Sequence, residues 1–288
     1  MFTCKRFCSL LILLLLLLAG CSRAPDSEQK LFSSLALLPG AHMALAEPAP
    51  AGFKVVPWER VVSVRENGGA VWLFLPQTEP PAQIAGWLQE NEAISFVGDD
   101  GVVYFVPAPG VDILPQLQAK HLEAELDPQS LARLWVIHGD VLKSGGNLDE
   151  AIDAYTQAIT LDPQLVSAHL ALGMALRERG DMNAARKAFE NVVLLDPDNY
   201  QALRGIGDIY LFDFRKPMLA VEPLTRAYLL QPDNQGVLAL VALALVESGQ
   251  KDIALQVLNE AEAKATDEAQ LRTINDIRQA YFSDSSSQ

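Results

Sequence analysis

Histidine, cysteine and serine are the residue types in this chain whose spacing would reveal a metal site or a nucleophile. The four histidines are His42, His121, His138 and His169, and none has a second histidine four residues away, the spacing at which two imidazoles on one helix bind zinc. The sequence also has no HExxH segment, no glycine-rich phosphate loop and no Gly-x-Ser-x-Gly turn. We therefore expect no enzymatic activity, no metal ligands and no cofactor, and we interpret His138 and His169 as core or interface residues.

Cys21 is the cysteine with the most informative surroundings. Lys5 and Arg6 precede an uninterrupted apolar run at residues 10–19. A charged start followed by a short apolar stretch is typical of a secretory signal. The run is too short to cross a bilayer as a helix, which needs about 20 apolar residues.

The segment Leu18-Ala19-Gly20-Cys21 resembles the lipobox of bacterial lipoproteins. The resemblance implies that residues 1–20 are a lipoprotein signal peptide and that Cys21 becomes acylated, with fatty acids such as palmitate. Because Ser22 and not aspartate follows, the resemblance further implies a lipid-anchored protein at the outer membrane of a Gram-negative bacterium, facing the periplasm. A cleaved signal that releases a soluble exported protein is the alternative.

The charge of the chain argues against nucleic acid as a partner. Its 36 acidic and 22 basic residues give a formal net charge of −14, whereas nucleic-acid binding depends on Lys and Arg that neutralise phosphates. Cleavage before Cys21 would leave only that cysteine, so the sequence predicts no disulfide.

A repeat of about 34 residues dominates the region 132–266. Small residues and prolines recur at matching positions: Gly139, Gly173 and Gly207; Ala151, Ala185 and Ala220; Pro163, Pro197 and Pro232. Small residues let two helices approach closely, and a proline disfavours helical geometry in the residue before it. The third copy is one residue longer than the second, and the fourth has Thr266 in place of the proline.

This pattern resembles the tetratricopeptide repeat (TPR), and it implies a mainly α fold. We expect an α-solenoid of about four helix pairs at 132–266, a capping helix at 267–282 and a disordered tail at 283–288. An unrelated helical bundle is the alternative. Within the third pair, Pro223 predicts either a kinked helix or one that begins near Glu222. Phe214 is a candidate exposed contact, with ordinary packing as its alternative.

The region before the repeats divides into three parts. Residues 21–52 are rich in Ala, Pro, Ser and Leu and predict a lipid-anchored tether. Residues 53–107 predict a small α+β module, and residues 108–131 a connecting helix, with 114–126 as its helical part. In the module we expect a helix at 80–90 and two hairpins, which pair 61–64 with 71–75 around Asn67-Gly68-Gly69, and 93–97 with 102–106.

The TPR resemblance also implies a binding surface, because the first helices of such pairs line a concave face. Projection of the repeat onto this sequence places ten residues there: Arg133, Val136, Asp140, Lys143, Leu170, Met174, Arg177, Arg204, Asp208 and Leu211. This mixed and partly apolar set favours a peptide or a partner helix as ligand. Some TPR proteins grip a C-terminal carboxylate with Lys and Asn, but the corresponding residues here are Val136, Asp140, Ala171, Gln201 and Gly205.

These features predict an outer-membrane-anchored periplasmic scaffold that binds another envelope protein during assembly or export. The resemblance implies pilus or secretin assembly, outer-membrane protein insertion, polysaccharide export or cell-wall machinery as settings. The alternative function is a carbohydrate-binding or enzymatic α+β module presented by the solenoid. Trp58, Trp72 and Trp87 would then form a platform for sugar rings, although core aromatics are the other interpretation of these residues.

Overall fold

The computed structural model describes residues 43–44, 54–75, 80–98, 101–119 and 126–282. The predicted signal peptide at 1–20, the predicted lipidation site Cys21, most of the predicted tether and the tail at 283–288 lie outside these described residues. The chain divides into two compact units, 1–131 and 132–288. Among the helices in the described ranges, none has the length and apolar composition needed to cross a bilayer.

In its described residues, the first unit contains three helices and two small sheets. Its helices are α1 (Trp58–Glu66), α2 (Ala82–Glu90) and α3 (Leu114–Ala119). The strands β1 (Met43–Ala44) and β2 (Lys54–Val55) pair in parallel. The strands β3 (Val71–Leu75), β4 (Ile94–Gly98) and β5 (Gly101–Val106) form an antiparallel sheet with β5 in the middle. This arrangement confirms a small α+β region ahead of the helical repeats.

The prediction of a hairpin around Asn67-Gly68-Gly69 is wrong, because residues 58–66 are helix α1. Gly68 has a φ of 77° and donates its N–H to the Arg65 carbonyl, while Gly69 donates to Val64. This pair of hydrogen bonds is a standard way to end a helix at a glycine. A glycine after a short Val-rich run therefore marks a helix end here and not a turn between strands.

The predicted helix at 80–90 and the predicted second hairpin are confirmed in the described residues. Strands β4 and β5 form the second hairpin, with Ile94 opposite Phe105 and Gly98 opposite Gly101. Helix α2 buries Leu88, and Ile84 and Trp87 pack against the same apolar cluster. The connecting helix is described from Leu114 to Ala119 only.

Every side chain of β3 is buried, so both faces of this strand are covered. Val71 and Leu73 join Val61 of α1 and Leu88 of α2 in one apolar cluster. Trp72 alternates with them along the strand and packs its ring 4.7 Å from that of Phe105, the residue opposite it on β5. The continuous run Val-Trp-Leu-Phe-Leu is thus explained by burial on two sides.

The second unit is built from consecutive antiparallel helix pairs, which confirms the predicted solenoid. The first helices of the pairs are α4 (Pro128–Ser144), α6 (Val166–Arg179), α8 (Tyr200–Asp208) and α10 (Gln235–Glu247). The second helices are α5 (Leu148–Leu161), α7 (Met182–Leu195), α9 (Pro217–Leu230) and α11 (Lys251–Lys264). A final helix, α12 (Glu268–Phe282), follows the fourth pair.

Glycines of the first helices lie directly against large side chains of the second helices. A Cβ atom added to Gly139 would be 2.5 Å from the Tyr155 ring, and one added to Gly207 would be 2.4 Å from Leu224. The Phe189 ring contacts two glycines. A Cβ atom added to Gly173 would lie 2.7 Å from the ring, and one added to Gly205 would lie 2.8 Å from it. Only glycine leaves room for these contacts.

Polar residues between the helices begin the next helix. The side chains of Asn199 and Asn234 accept hydrogen bonds from the N–H groups of Ala202 and Val237, in the first turns of α8 and α10. Asp181 does the same for Ala184 in α7. Such N-caps satisfy backbone donors that have no partner within the helix.

The extra residue of the third repeat is accommodated by a π turn at Ile209–Asp213, which continues α8. Phe214 donates its N–H to the carbonyl of Ile209, five residues earlier. A π turn holds one residue more than an α-turn and rotates the following side chains around the helix axis. Leu211, predicted to face the binding surface, is therefore only 1% exposed and packs in the core.

The π turn also changes how the third pair turns between its helices. In the other three pairs, a glycine with a positive φ angle lies in the turn between the two helices: Gly146, Gly180 and Gly249. In the third pair Arg215 occupies this position, with a φ of 52°. Phe214 packs against the core beside Tyr210, so the interpretation as ordinary packing is the correct one, and Phe212 is the more exposed aromatic residue.

Helix α9 begins at Pro217 and runs through Pro223, so the expectation of a start near Glu222 is wrong. Proline suits the first turn of a helix, where its missing N–H would have no partner. Pro223 is buried in the interior of the helix. It leaves the carbonyl of Leu219 without its usual helical donor.

The predicted capping helix is confirmed as α12. Ile274 and Ile277 are buried in a cluster with Leu258 of α11 and Leu238 of α10. Leu271 of the same helix is 37% exposed. The charged side chains Arg272 and Glu268 form an exposed ion pair on this helix, as suits a terminal helix in contact with water.

We expect Gly173→Ala to destabilise the second unit by about 1–3 kcal/mol, because Phe189 has Gly205 behind it and cannot move away. The matched control is Gly236→Ala in α10, where the added methyl group meets only the Asn234 side chain at 3.4 Å. That change should be neutral or stabilise by up to about 1 kcal/mol. Urea unfolding followed by circular dichroism measures both, and equal effects would contradict the packing argument.

We expect Arg215→Gly to stabilise the protein by about 0.5–1 kcal/mol. Glycine relieves a left-handed conformation that costs other residues about 1–2 kcal/mol, and part of this gain is offset by the entropy of the unfolded glycine. The reverse change at the equivalent position, Gly180→Arg, should destabilise, because Gly180 has a φ of 92°. Thermal unfolding of the two variants should therefore shift in opposite directions; a shift in the same direction would argue against strain at Arg215.

Candidate protein-binding surface

Three consecutive first helices, α4, α6 and α8, present charged side chains that reach from one helix to the next. Lys143 Nζ on α4 lies 4.0 Å from the Glu178 carboxylate on α6. Arg177 on α6 lies 3.6 Å from Asp208 Oδ2 on α8, and Arg204 on α8 lies 3.8 Å from the same oxygen. We call the surface that contains these groups the first-helix face; its residues are Arg133, Asp140, Lys143, Met174, Arg177, Glu178, Arg204 and Asp208.

Two arginines and a methionine give this face its accessible chemistry. The side chains of Arg177 and Arg204 are 44% and 47% exposed, so about half of each remains open to a ligand. Met174 is 38% exposed and lies one helical turn before Arg177 on α6. Cationic groups beside an exposed apolar side chain suit a peptide better than a small polar molecule.

Asp208 is the most buried charged group of the first-helix face. Its side chain is 21% exposed, and its Oδ1 atom is buried without a hydrogen-bond partner in the described residues. Burial raises the pKa of this carboxyl group, while Arg204 and Arg177 lower it and Asp213 raises it further. The two arginines therefore compensate part of the cost of burying this carboxylate.

The Asp140 side chain is positioned by a hydrogen bond from a residue of α5, the second helix of the same pair. The Tyr155 hydroxyl group donates a hydrogen bond of 2.7 Å to Asp140 Oδ1, and the Tyr155 side chain is fully buried. Burial raises the pKa of Tyr155 well above its ordinary value, and the hydrogen bond and negative charge of Asp140 add to the effect. The same ring that packs on Gly139 thus orients the adjacent aspartate.

The structure places the predicted surface residues in two groups. Arg133, Asp140, Met174, Arg177 and Arg204 are exposed, and Lys143 and Asp208 are partly exposed. Val136 and Leu170 are partly buried and pack against the core cluster of the first two pairs. With the buried Leu211, they support the helices and offer little surface to a ligand.

Two residues of this arrangement were missed by the sequence projection. Glu178 pairs with Lys143, and Tyr155 anchors Asp140. Tyr155 occupies a core position of the repeat, so the pattern gave no reason to expect its hydroxyl group at the surface aspartate. Glu178 follows Arg177 directly, and only the distance between α4 and α6 reveals its partner.

The remaining sequence candidates do not form a second site in the described residues. Trp72 is fully buried, so it cannot share an exposed platform with Trp58 and Trp87, which pack edge to face at 5.1 Å. His169 is buried, and its Nε2 atom lies 2.9 Å from the Pro163 carbonyl oxygen. Within the described ranges no group of three or more His, Cys, Asp or Glu side chains could hold a metal ion.

A separate groove of about 610 Å³ lies between α7 and α9, with Leu203 and Ile206 of α8 at its base. Its edges include Leu194, which is 80% exposed, and Met218. The acidic residues that line it are already paired, Glu190 with Arg186 and Glu222 with Arg226. None of the surface residues predicted from the sequence lines this groove.

Comparison with protein families assigns the repeats. A model described as "TPR repeat" matches residues 139–176, and a model described as "Tetratricopeptide repeat" matches residues 170–213. These segments contain Gly139, Gly173, Gly205 and Gly207 and, apart from Arg133, the charged residues of the first-helix face.

Curated proteins are similar to part of this chain. The chain is 27% identical over 124 residues to the Protein CTR9 homolog of Arabidopsis thaliana, a match that covers 42% of this chain and 11% of that protein. It is 32% identical over 73 residues to Protein O-mannosyl-transferase TMTC1 of Mus musculus, covering 25% of this chain and 8% of that protein. The chain thus spans about a tenth of the length of these curated relatives.

Among solved structures, the chain is similar to YrrB, described as a TPR protein with an unusual peptide-binding site. The identity is 17% and the TM-score is 0.47, over 59% of this chain and 84% of that chain.

We expect the Tyr155→Phe variant to lose less stability at high pH than the parent protein. The raised pKa favours the neutral tyrosine in the folded state. The contribution of Tyr155 to the free energy of unfolding is therefore complete below about pH 10 and is lost as the pH rises further. Each pH unit above that point costs about 1.4 kcal/mol. Burial also raises the pKa of Tyr104 and Tyr228, so a residual loss will persist in the variant.

The measurement is the free energy of unfolding in urea at pH 8 and pH 11 for both proteins. At pH 8 the variant should be about 1–2 kcal/mol less stable, since it lacks the hydrogen bond to Asp140. Between pH 8 and pH 11 it should lose about 1 kcal/mol less than the parent. An equal loss in both proteins would show that Tyr155 does not titrate in this range.

Proposed function

We propose that the tetratricopeptide repeats of this chain form a scaffold that binds a segment of another protein on the first-helix face. The observation that carries the proposal is the row of charged side chains that joins α4, α6 and α8 and leaves Arg177, Arg204 and Met174 about half exposed. A rigid row of this kind offers side-chain recognition without a catalytic group.

A protein segment fits this face for two reasons. The charged groups of the first-helix face are spread over three helices, so a ligand must be extended or helical to contact all of them. The charges are of both signs and partly paired, which favours a partner with a defined charge pattern over a general polyelectrolyte.

We further propose that the protein is anchored to the outer membrane through an acylated Cys21 and faces the periplasm. The support is the sequence Leu18-Ala19-Gly20-Cys21-Ser22 after a charged start and a short apolar run. Several acyl chains hold a protein on a membrane firmly, because each buried methylene group contributes about 0.8 kcal/mol. The partner would then be an envelope protein of the pilus, secretin, outer-membrane insertion, export or cell-wall machinery.

The test is an affinity pull-down of the tagged full-length protein from crosslinked, detergent-solubilised cells, with four versions in parallel. They are the parent, Cys21→Ala, the double variant Arg177→Glu with Arg204→Glu, and a control that carries Lys187→Glu with Arg272→Glu. The control makes the same change in net charge at exposed residues of α7 and α12. Circular dichroism checks that helicity is equal in all four.

We expect envelope proteins recovered with the parent and the control to fall by at least about tenfold with the Arg177/Arg204 variant, because reversed charges in a contact cost several kcal/mol. Loss with Cys21→Ala, together with release of the protein from the membrane fraction, would support the anchor. Equal recovery with the Arg177/Arg204 variant would refute the first-helix face as the binding surface, and undiminished incorporation of labelled palmitate into Cys21→Ala would refute lipidation at that cysteine.

A further inference from the structure

The apolar groove between α7 and α9 offers chemistry that the first-helix face does not. We call this groove of about 610 Å³ the second-helix groove. Leu194, Met218 and Leu219 line it, and each of these residues is at least half exposed. Concave sites lined mainly by apolar side chains are where proteins hold small molecules or the anchor side chain of a partner.

The charged residues at the second-helix groove already have partners. Glu190 pairs with Arg186, and Glu222 pairs with Arg226. Arg226 also donates a hydrogen bond to the carbonyl of Pro197. Because these charges are compensated within the protein, the groove is complementary to an uncharged occupant.

One polar group at the wall of the groove has lost its usual partner. Pro223, in the interior of α9, has no N–H group, so the carbonyl of Leu219 lacks its helical donor. Both residues line the groove, and a helical carbonyl points along the axis toward the residue four positions later. A purely apolar ligand that covered this carbonyl would leave an acceptor without a hydrogen bond, which costs free energy. The groove therefore favours an occupant with an N–H or O–H donor.

Two side chains of the second-helix groove suit an aromatic ring. Tyr210 lines the groove, and Phe214 packs edge to face against it at 6.0 Å. Aromatic rings prefer such edge-to-face or offset contacts with a further ring. Met218 Sδ accepts a hydrogen bond of 3.3 Å from Gln250 Nε2, which holds the thioether at the edge of the groove. Thioether groups make favourable contacts with aromatic rings.

We infer that the second-helix groove binds the indole side chain of a tryptophan from a partner protein. Indole is a large apolar ring with one N–H donor and no acceptor, which matches an apolar groove with one open carbonyl. A phenylalanine ring fits the apolar walls but brings no donor. The inference is independent of the proposed function, because the residues that line the groove and those of the first-helix face are different.

The test uses nuclear magnetic resonance of the full-length protein, labelled with ¹³C in the methionine methyl groups. Lipid nanodiscs replace detergent, because detergent would compete for an apolar groove. The Met218→Leu variant assigns the Met218 signal, and Met174 on α6 is the internal reference. The main probes are N-acetyltryptophan amide and its 1-methylindole analogue, which is also uncharged but lacks the indole N–H.

We expect N-acetyltryptophan amide to shift the Met218 signal saturably, with a dissociation constant on the order of millimolar, and to leave the Met174 signal unchanged. The 1-methyl analogue should bind about three- to tenfold more weakly, because it cannot donate to the Leu219 carbonyl. N-acetylphenylalanine amide should also bind more weakly. Equal shifts of Met218 and Met174 would indicate nonspecific contact and overturn the inference.

The Pro223→Ala variant tests the hydrogen bond directly, because it restores an N–H donor for the Leu219 carbonyl within α9. We expect the preference for N-acetyltryptophan amide over its 1-methyl analogue to fall to about one, even if the affinity for both changes. Circular dichroism checks that helicity is retained. An undiminished preference would overturn the assignment of the indole N–H to this carbonyl.

Two leucines give a matched pair of surface changes. Leu194→Asp places a charge at the edge of the groove and should weaken binding of N-acetyltryptophan amide at least about fivefold. Leu229→Asp is the control, because Leu229 is exposed on α9 and is not among the residues that line the groove. The control and the Arg177/Arg204 variant should bind the probe as the parent does. Equal affinity in all four proteins would overturn the groove as the binding site.

Three further results would identify a different occupant and so overturn the inference. Tighter binding of N-acetyltyrosine amide than of N-acetyltryptophan amide would assign the groove to tyrosine. Binding of free indole without binding of N-acetyltryptophan amide would assign it to a small molecule. A Met218 signal that changes with protein concentration before any probe is added would indicate a second copy of this chain. None of these results bears on the dependence of the pull-down on Arg177 and Arg204.

Discussion

The contact between a glycine of one helix and a large side chain of its partner sets the geometry on which the second unit depends. Phe189 packs between Gly173 of α6 and Gly205 of α8, so one ring fixes the distance within a pair and the distance to the next pair. Tyr155 on Gly139 and Leu224 on Gly207 repeat the contact within their own pairs. Because these contacts hold α4, α6 and α8 at defined separations, charged side chains on neighbouring first helices come within ion-pair distance.

The repeat period was sufficient to predict the helix pairs, since small residues and prolines at matching positions report packing that recurs. The same reasoning failed where a local residue pattern has two structural meanings. Asn67-Gly68-Gly69 ends helix α1, although an identical sequence between two strands would form a hairpin. What decides between them is the burial of Val61 and Leu88 in one cluster, which depends on residues distant in the sequence.

The first-helix face was predicted in part for a comparable reason. Projection of the period placed Arg177, Arg204 and Asp208 on one face, and their ion pairs agree with that placement. The projection failed at Leu211, because the third repeat absorbs its extra residue in a π turn that begins just before it. The length of 35 residues showed that an insertion exists, but its position depends on the backbone. Just after the π turn, Arg215 adopts the conformation that glycine has in the other pairs.

The π turn limits how far outward-facing side chains continue along α8, because it places Leu211 in the core. The charged row described above crosses the three first helices α4, α6 and α8. Packed helices lie about 8–10 Å apart, which makes the row about 16–20 Å long. An extended chain advances about 3.3 Å per residue, so a strand of about five or six residues has the length of this row. On the proposed function, the spacing of the three first helices therefore sets the length of the segment that this face can contact.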